Sequence, residues 1–189
     1  MPGQIVLYDA CVLYPAPLRD LLMHLALTDL FHARWTNEIH EEWIGKVLLN
    51  RPDLNRRQLE RTRRLMNEYA RDCLVEGYEE LIPRLQLPDL HDRHVLAAAI
   101  HSEATVIVTF NLKDFPPAQL EPFDIEARHP DDYIVEQFDL EPRLACAAAR
   151  RHRTSLKNPP KSVAEYLDTL SRQQLPKTVS RLSSQADQI

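Results

Sequence analysis

Two short apolar runs limit the fold more than anything else in this chain. Ile5-Val6-Leu7-Tyr8 and Thr105-Val106-Ile107-Val108-Thr109-Phe110 are apolar along their length rather than alternating, as in strands buried in a parallel sheet. The second is rich in β-branched residues, which favour the pleated backbone. Helical patterns occupy the sequence between them. Pro15 and Pro17 introduce an apolar-periodic stretch from Leu18 to Leu30. Thr36 is placed to cap a helix through Ile39, Glu42, Trp43 and Val47. After Pro52 an arginine-rich helical segment runs from about Asn55 to Asp72, and Asp89 opens a helix through Val95, Leu96, Ala99 and Ile100. Phe31–Trp35 and Leu74–Tyr78 are expected as further short strands, and Asp124–His129 as an edge strand. Strands alternating with helices predict an α/β fold, with a mainly parallel central sheet flanked by helices.

The character changes near Pro130. From there on, helices are separated by Pro142, the Pro159-Pro160 pair and Pro176, and Ser162 with Glu165 has the spacing of a capping box. The expected organisation is a domain over residues 1–130 and a helical C-terminal extension over 131–189. Val163, Tyr166, Leu167 and Leu170 give the extension an apolar face, to be covered by the core, a second subunit or another protein. Cys11, Cys73 and Cys146 form no CxxC pair and no even-numbered framework, which points to a reducing compartment. With no apolar run near the ~20 residues that cross a bilayer and no basic, apolar leader at the N-terminus, a cytoplasmic protein is expected. The net charge of −5 lowers the expectation of a passive nucleic-acid binder more than that of a metallonuclease, whose site itself needs carboxylates.

In parallel sheets, ligands bind beyond the carboxyl ends of the strands. Asp9 stands at one such end, and Asn111 and Asp114 follow another. Asp92 lies in the first turn of the helix before that second strand, and Glu42 one turn into an earlier helix. Converging carboxylates raise one another's pKa unless a cation is present, and hard oxygen donors select Mg2+ or Mn2+. Each acid also has an ordinary structural explanation. Asp9 can order a turn, Asp89 and Asp92 have the spacing of an N-cap and a first-turn acid, Asp114 can cap the turn before Phe115-Pro116, and Glu42 can be solvated like Glu38 and Glu41.

The segments containing these acids resemble the PIN-domain family, and especially its VapC-like toxins. VLYDACVLY is similar to the family's opening strand and Asp, and WTNEIHEEW to its Ser/Thr-started acidic helix. LPDLHDRHVLAAAIHSEATVIVTFNLKDFP is similar to the Asp-headed, alanine-rich helix that leads into a strand, a Thr-x-Asn/Asp motif and an Asp-Phe pair. The resemblance covers about Ile5 to His129 and implies a PIN-like fold with metal-dependent ribonuclease activity. Asp9 and Asp92 would be metal ligands, Glu42 a further ligand or the group orienting water, and Asp114 the acid completing the cluster. Thr109 would hold a carboxylate or water, with Asn111 in support. Asn111 stands where many members have Asp, so one metal ion rather than two is the expectation. Glu38 lies one turn from Glu42 on the same face and competes for its role. The family further implies a homodimer and a cognate antitoxin.

Arg51, Arg56, Arg57, Arg61, Arg63 and Arg64 make one segment locally basic. Of these Arg56, Arg57, Arg61 and Arg64, with Arg93 beside Asp92, are candidates for RNA phosphates, against a solvated face laced with Glu60 and Glu68. His94 either touches the scissile phosphate or faces away. Arg150, Arg151, His152 and Arg153 form a second basic patch. The eight histidines show no zinc-type spacing. Two other function classes stand beside the ribonuclease. One is an inactive PIN-like module that binds RNA or protein, which Asn111 favours. The other is a phosphatase with a strand-end nucleophile, which Cys11 disfavours by occupying the second position of a DxD pair. With glycine only at positions 3, 45 and 77, the chain lacks a glycine-rich phosphate loop.

Overall fold

The computed structural model describes residues 3–189. Strands β1 (Gln4–Tyr8), β2 (Phe31–Arg34), β3 (Val106–Val108) and β4 (Glu126–Arg128) form a sheet in the order β2-β1-β3-β4, with every pairing parallel. The two continuous apolar runs take the inner positions, where Val6, Leu7, Tyr8, Val106, Ile107 and Val108 are all buried. β2 alternates buried Phe31 and Ala33 with partly exposed neighbours, and β4 has no buried residue. Both suit the outer positions they hold. Tyr8 pairs with Val108, which in turn pairs with Arg128. The ladder continues one residue further, with Asp9 N donating to Val108 O at 3.1 Å and Thr109 N to Arg128 O at 3.0 Å. This register brings Asp9 and Thr109 side by side at the carboxyl edge.

The helices are α1 (Ala10–Leu13), α2 (Ala16–Ala26), α3 (Asn37–Asn50), α4 (Arg56–Tyr69), α5 (Arg93–His101), α6 (Pro117–Leu120), α7 (Pro130–Leu140), α8 (Pro142–Ser155), α9 (Val163–Ser171) and α10 (Pro176–Ser183). Thr36 caps α3 by accepting from Ile39 N at 3.0 Å, a bond that contributes about 1 kcal/mol. Asn55 with Gln58, and Ser162 with Glu165, form reciprocal capping boxes. α3 buries Ile39, His40, Trp43, Ile44 and Val47, a single helical face. Its polar atoms are satisfied in a closed set. Trp43 Nε1 donates to His40 Nδ1 at 3.0 Å, and Asn67 Oδ1 accepts from Trp35 Nε1 at 2.7 Å and from His40 Nε2 at 3.0 Å.

The chain divides into two compact units. One runs up to Tyr14 and resumes over Phe31–His129. The other joins Pro15–Leu30 to Pro130–Ile189. The first holds the sheet with α1, α3, α4, α5 and α6. In the second, α2 packs on α8, where the His24 and His152 rings lie 5.2 Å apart. Pro15–Leu30 thus groups with the C-terminal helices. α2 buries Leu18, Leu21, Leu22 and Leu25, and Ala145, Ala148 and Ala149 make a buried small-residue face on α8, a pairing of segments far apart in sequence.

Two local expectations are corrected. Leu74–Tyr78 is not a strand. Trp35 and Leu74 form an isolated parallel bridge. Gly77, at φ 82°, then turns the chain in a conformation that favours glycine, and a 3-10 helix follows over Glu79–Arg84. Asp89 does not open α5 directly. Its side chain accepts from His91 N at 2.9 Å and caps a 3-10 turn, Leu90–Asp92, so that α5 begins at Arg93.

Candidate active site

Asp9 ends β1 and is 4% exposed. It occupies the N-cap position of α1 yet makes no side-chain capping bond. Its Oδ2 accepts instead from the Thr109 hydroxyl at 2.6 Å and from the Cys11 thiol at 3.1 Å. Thr109 is fully buried, and its oxygen also accepts from Asn111 N at 3.0 Å. Cys11 Sγ accepts from Phe110 N at 3.3 Å. Burial and the adjacent Asp9 push the Cys11 thiol well up, so it stays protonated and serves as a donor. Two strand ends are thereby tied together through one carboxylate oxygen. Among the described residues the other oxygen takes no hydrogen bond.

Asp92 precedes α5 in the N-cap position and makes no side-chain capping bond either. Asp89 carries the helix-start role, which leaves the Asp92 carboxylate without a structural task. Burial, followed by the charges of Asp9, Asp89, Asp114 and Glu42, raises its pKa from 3.8 to about 6. Asp114 closes the 3-10 turn Leu112–Asp114 after β3. That turn is held by backbone bonds from Asp114 N to Asn111 O and from Phe115 N to Leu112 O, so the Asp114 side chain is not its cap. Asp9, Asp89, Asp114 and Glu42 thus lie near enough to Asp92 for their charges to raise its pKa. Thr109 lies within this group, and Asn111 lies beside it as an exposed residue.

Glu42 accepts from His94 Nε2 at 2.8 Å, while His94 Nδ1 lies 3.6 Å from Glu38 Oε2. Burial alone would lower the His94 pKa, but Glu42, Glu38 and Asp9 outweigh it and raise the pKa. Glu42 is among the carboxylates whose charge raises the Asp92 pKa. Sequence reasoning missed Cys11 as part of this cluster, and it placed His94 beside Asp92 as a candidate for the scissile phosphate without its bond to Glu42. The signal for His94 was its position two residues after Asp92, on the same helical turn.

The arginines are not drawn into the acidic cluster. Arg56 pairs with Glu41 and Glu60, each at 3.1 Å. Arg63 pairs with Glu41 at 2.8 Å, and Arg64 with Glu68 at 3.5 Å. Arg93 Nε donates to Leu90 O, back into its own turn. Arg57 and Arg61 are exposed and line a surface hollow with Asn55, Gln58, Glu60 and Arg64. Among the remaining histidines, His40 and His152 are buried packing residues, with His152 Nδ1 lying 3.0 Å from the Tyr166 hydroxyl.

Comparison with known proteins identifies the family. A family model described as PIN domain matches residues 5–113, and a second, described as VapC50 C-terminal domain, matches residues 130–184. A curated relative from Mycobacterium tuberculosis (strain ATCC 25618 / H37Rv), named "Putative ribonuclease VapC50", is 41% identical over 97 residues. That match covers 51% of this chain and 57% of the relative, so it spans little more than half of either protein. No solved structure matches the chain. The parallel sheet, the acids gathered at its carboxyl edge and these matches together establish that the chain belongs to the PIN-domain family, among its VapC-like members.

Proposed function

We propose that this protein is a divalent-metal-dependent endoribonuclease, the toxin of a toxin–antitoxin pair, with Asp9, Glu42, Asp92 and Asp114 as its working acids. The observation that carries this reading is the edge of the sheet, where Asp9 is held by Thr109 and Cys11 through one carboxylate oxygen and Asp92 makes no capping bond, with burial and neighbouring carboxylates raising the Asp92 pKa. Such a set suits a hard cation. The donors are carboxylate oxygens, and Asp9 and Asp92 do no capping that binding would disturb. Asp9 and Asp92 would hold Mg2+ or Mn2+, with Asp114 and Glu42 completing the shell directly or through water. When bound, the ion supplies a water deprotonated near neutral pH and charge stabilisation for the phosphate.

The chain's own groups have separable tasks. Thr109 and Cys11 hold one oxygen of Asp9, which fixes the orientation of its carboxylate. Glu42 would be a further ligand or would orient the attacking water. Of the candidate arginines, Arg57 and Arg61 are exposed and line a surface hollow, so they are the ones to take RNA phosphates. Arg56, Arg64 and Arg93 would first have to leave Glu41 and Glu60, Glu68, and the Leu90 carbonyl. The relative's name describes a ribonuclease, which supports RNA as the substrate. A homodimer, neutralised by a cognate antitoxin in the cytoplasm, completes the reading. In it, residues 1–130 supply the nuclease and 131–189 an accessory helical region. Among the described residues no helix is long and apolar enough to cross a membrane.

Asn111 favours the alternative of an inactive binding module, because an amide adds no charge to the site. Retention of all four acids weighs against it. Incubation with total RNA separates the two readings. The ribonuclease yields discrete fragments with Mg2+ or Mn2+ and none with chelator, whereas a scaffold binds RNA without cutting it under either condition.

A further inference from the structure

His94 is 4% exposed and sits at the second position of α5, between two glutamates one turn apart on α3. Like charges at this spacing repel, and the imidazole lies between them. Its Nε2 is 2.8 Å from Glu42 Oε1, and because an ionised carboxylate only accepts, the ring nitrogen donates. Its Nδ1 is buried without a hydrogen-bond partner and points to Glu38 Oε2 at 3.6 Å. Glu38 is held in turn by the Tyr78 hydroxyl, which donates to the same oxygen at 3.3 Å. Tyr78 is itself buried.

Glu38, Glu42 and His94 also present ligand-type atoms within 4.8 Å of one another, which raises the question of a separate metal site. The ring geometry argues against one. A neutral imidazole offers a metal one lone pair, and here each ring nitrogen already faces a different carboxylate, so an ion bound at either nitrogen would displace the contact that nitrogen makes. The arrangement is a bracket, not a coordination shell.

We propose that His94 is a positioning residue for Glu42. Its Nε2–H fixes the Glu42 carboxylate within the acidic cluster, and Glu38 with Tyr78 steadies the far side of the ring. This rests on the reading of the cluster as the metal-binding nuclease site. It assigns the two glutamates different work, with Glu42 facing the chemistry and Glu38 supporting the group that orients it. The same turn that carries Asp92 carries its neighbour's clamp, so rotating α5 would misplace two of the four acids together. Partners that orient a ligand in this way typically contribute 10–100-fold, in metal affinity or in activity.

The test uses the full chain with His94→Ala and His94→Gln, the latter able to donate an N–H from a similar position. Ring-nitrogen NMR on the metal-free native protein should show a protonated, slowly exchanging His94 Nε2 that loses this protection in Glu42→Ala. Calorimetric titration with Mn2+ in the absence of RNA should show binding weakened about 10–100-fold in His94→Ala and recovered several-fold in His94→Gln. RNA cleavage at saturating Mn2+ should follow the same order, while circular dichroism shows all variants folded. If His94→Ala fails to fold, the native spectrum and the Gln variant still decide the matter. An unprotonated Nε2, native Mn2+ affinity in a folded His94→Ala, or a His94 nitrogen shifted by direct coordination to added Zn2+ would each overturn the proposal. A native protein that neither binds Mn2+ nor cuts RNA refutes the nuclease reading instead, and the metal-free spectrum still reports on the His94–Glu42 bond.

Discussion

Replacing Asp92 with Asn should make the metal-free protein more stable while abolishing its activity. The native carboxylate makes no capping bond, so the substitution removes a charge without removing a structural contact. Its pKa is raised from 3.8 to about 6, so the folded state binds a proton more tightly than the unfolded chain. Stability from this group is full below about pH 4, declines as pH rises through about 6, and stays lower above that. A rise of this size corresponds to about 3 kcal/mol at neutral pH. Asp92 is only partly buried, and solvent screening brings the expected effect to about 1–2 kcal/mol. For a chain of this length that is a melting-temperature gain of roughly 2–8 °C. The assay is thermal unfolding of native and Asp92→Asn proteins in chelator, at pH 7.5 and pH 4. The gain should appear at pH 7.5, shrink towards zero at pH 4, and reverse when Mn2+ is added, because only the native site then binds the ion. A variant no more stable than native at pH 7.5 in chelator would refute the convergence of the carboxylates.

Other consequences follow from the same geometry. Thr109→Val keeps the side-chain shape but removes the hydroxyl shared by Asp9 and Asn111 N. Urea unfolding should show about 2–3 kcal/mol of lost stability, with weaker Mn2+ binding. His152 and His40 are held neutral, with burial the main cause, their pKa values lowered from 6.5 to about 3 and about 4. Because the unfolded chain takes up these protons first, stability is full above about pH 6.5 and falls below it, by about 2 kcal/mol per histidine at pH 5. His152→Gln should remove its share of that pH dependence in urea titrations at pH 7.5 and 5. The double variant Arg57→Gln, Arg61→Gln should weaken RNA binding and flatten its salt dependence by about 1.4 in log–log slope on single-stranded RNA. An unchanged slope would take this face of α4 out of the RNA interface.

The parts of the fold that local chemistry dictates were legible from the chain alone. Continuous β-branched and apolar runs marked β1 and β3, and Thr36 and Ser162 announced the starts of α3 and α9 through caps that need only the next turn. Asp9 and Asp92 could be singled out because they stand at a strand end and a helix start, but their freedom from capping work was not visible. Asp89 carries out that work one turn earlier, through a 3-10 segment that sequence spacing does not distinguish from α-helix. Long-range pairings were hidden. The association of α2 with α8, the binding of Arg56 and Arg63 to Glu41 on another helix, and the reach of His94 to Glu42 all depend on how distant elements pack. The Leu74–Tyr78 segment has the composition of a strand, yet Gly77 turns it away after one bridge.

The central claim, that four acids from separate segments act as one metal site, is tested most directly by a cleavage series on a single labelled RNA. The proteins are native, Asp9→Asn, Glu42→Gln, Asp92→Asn, Asp114→Asn and the Asp9→Asn, Asp92→Asn pair, each with Mn2+ and with chelator. Members of one site should each lower the rate at least about 100-fold, and the pair should lose little more than either single variant. Chelator should silence the native enzyme. Multiplying losses in the pair, or native cleavage that persists in chelator, would contradict the account.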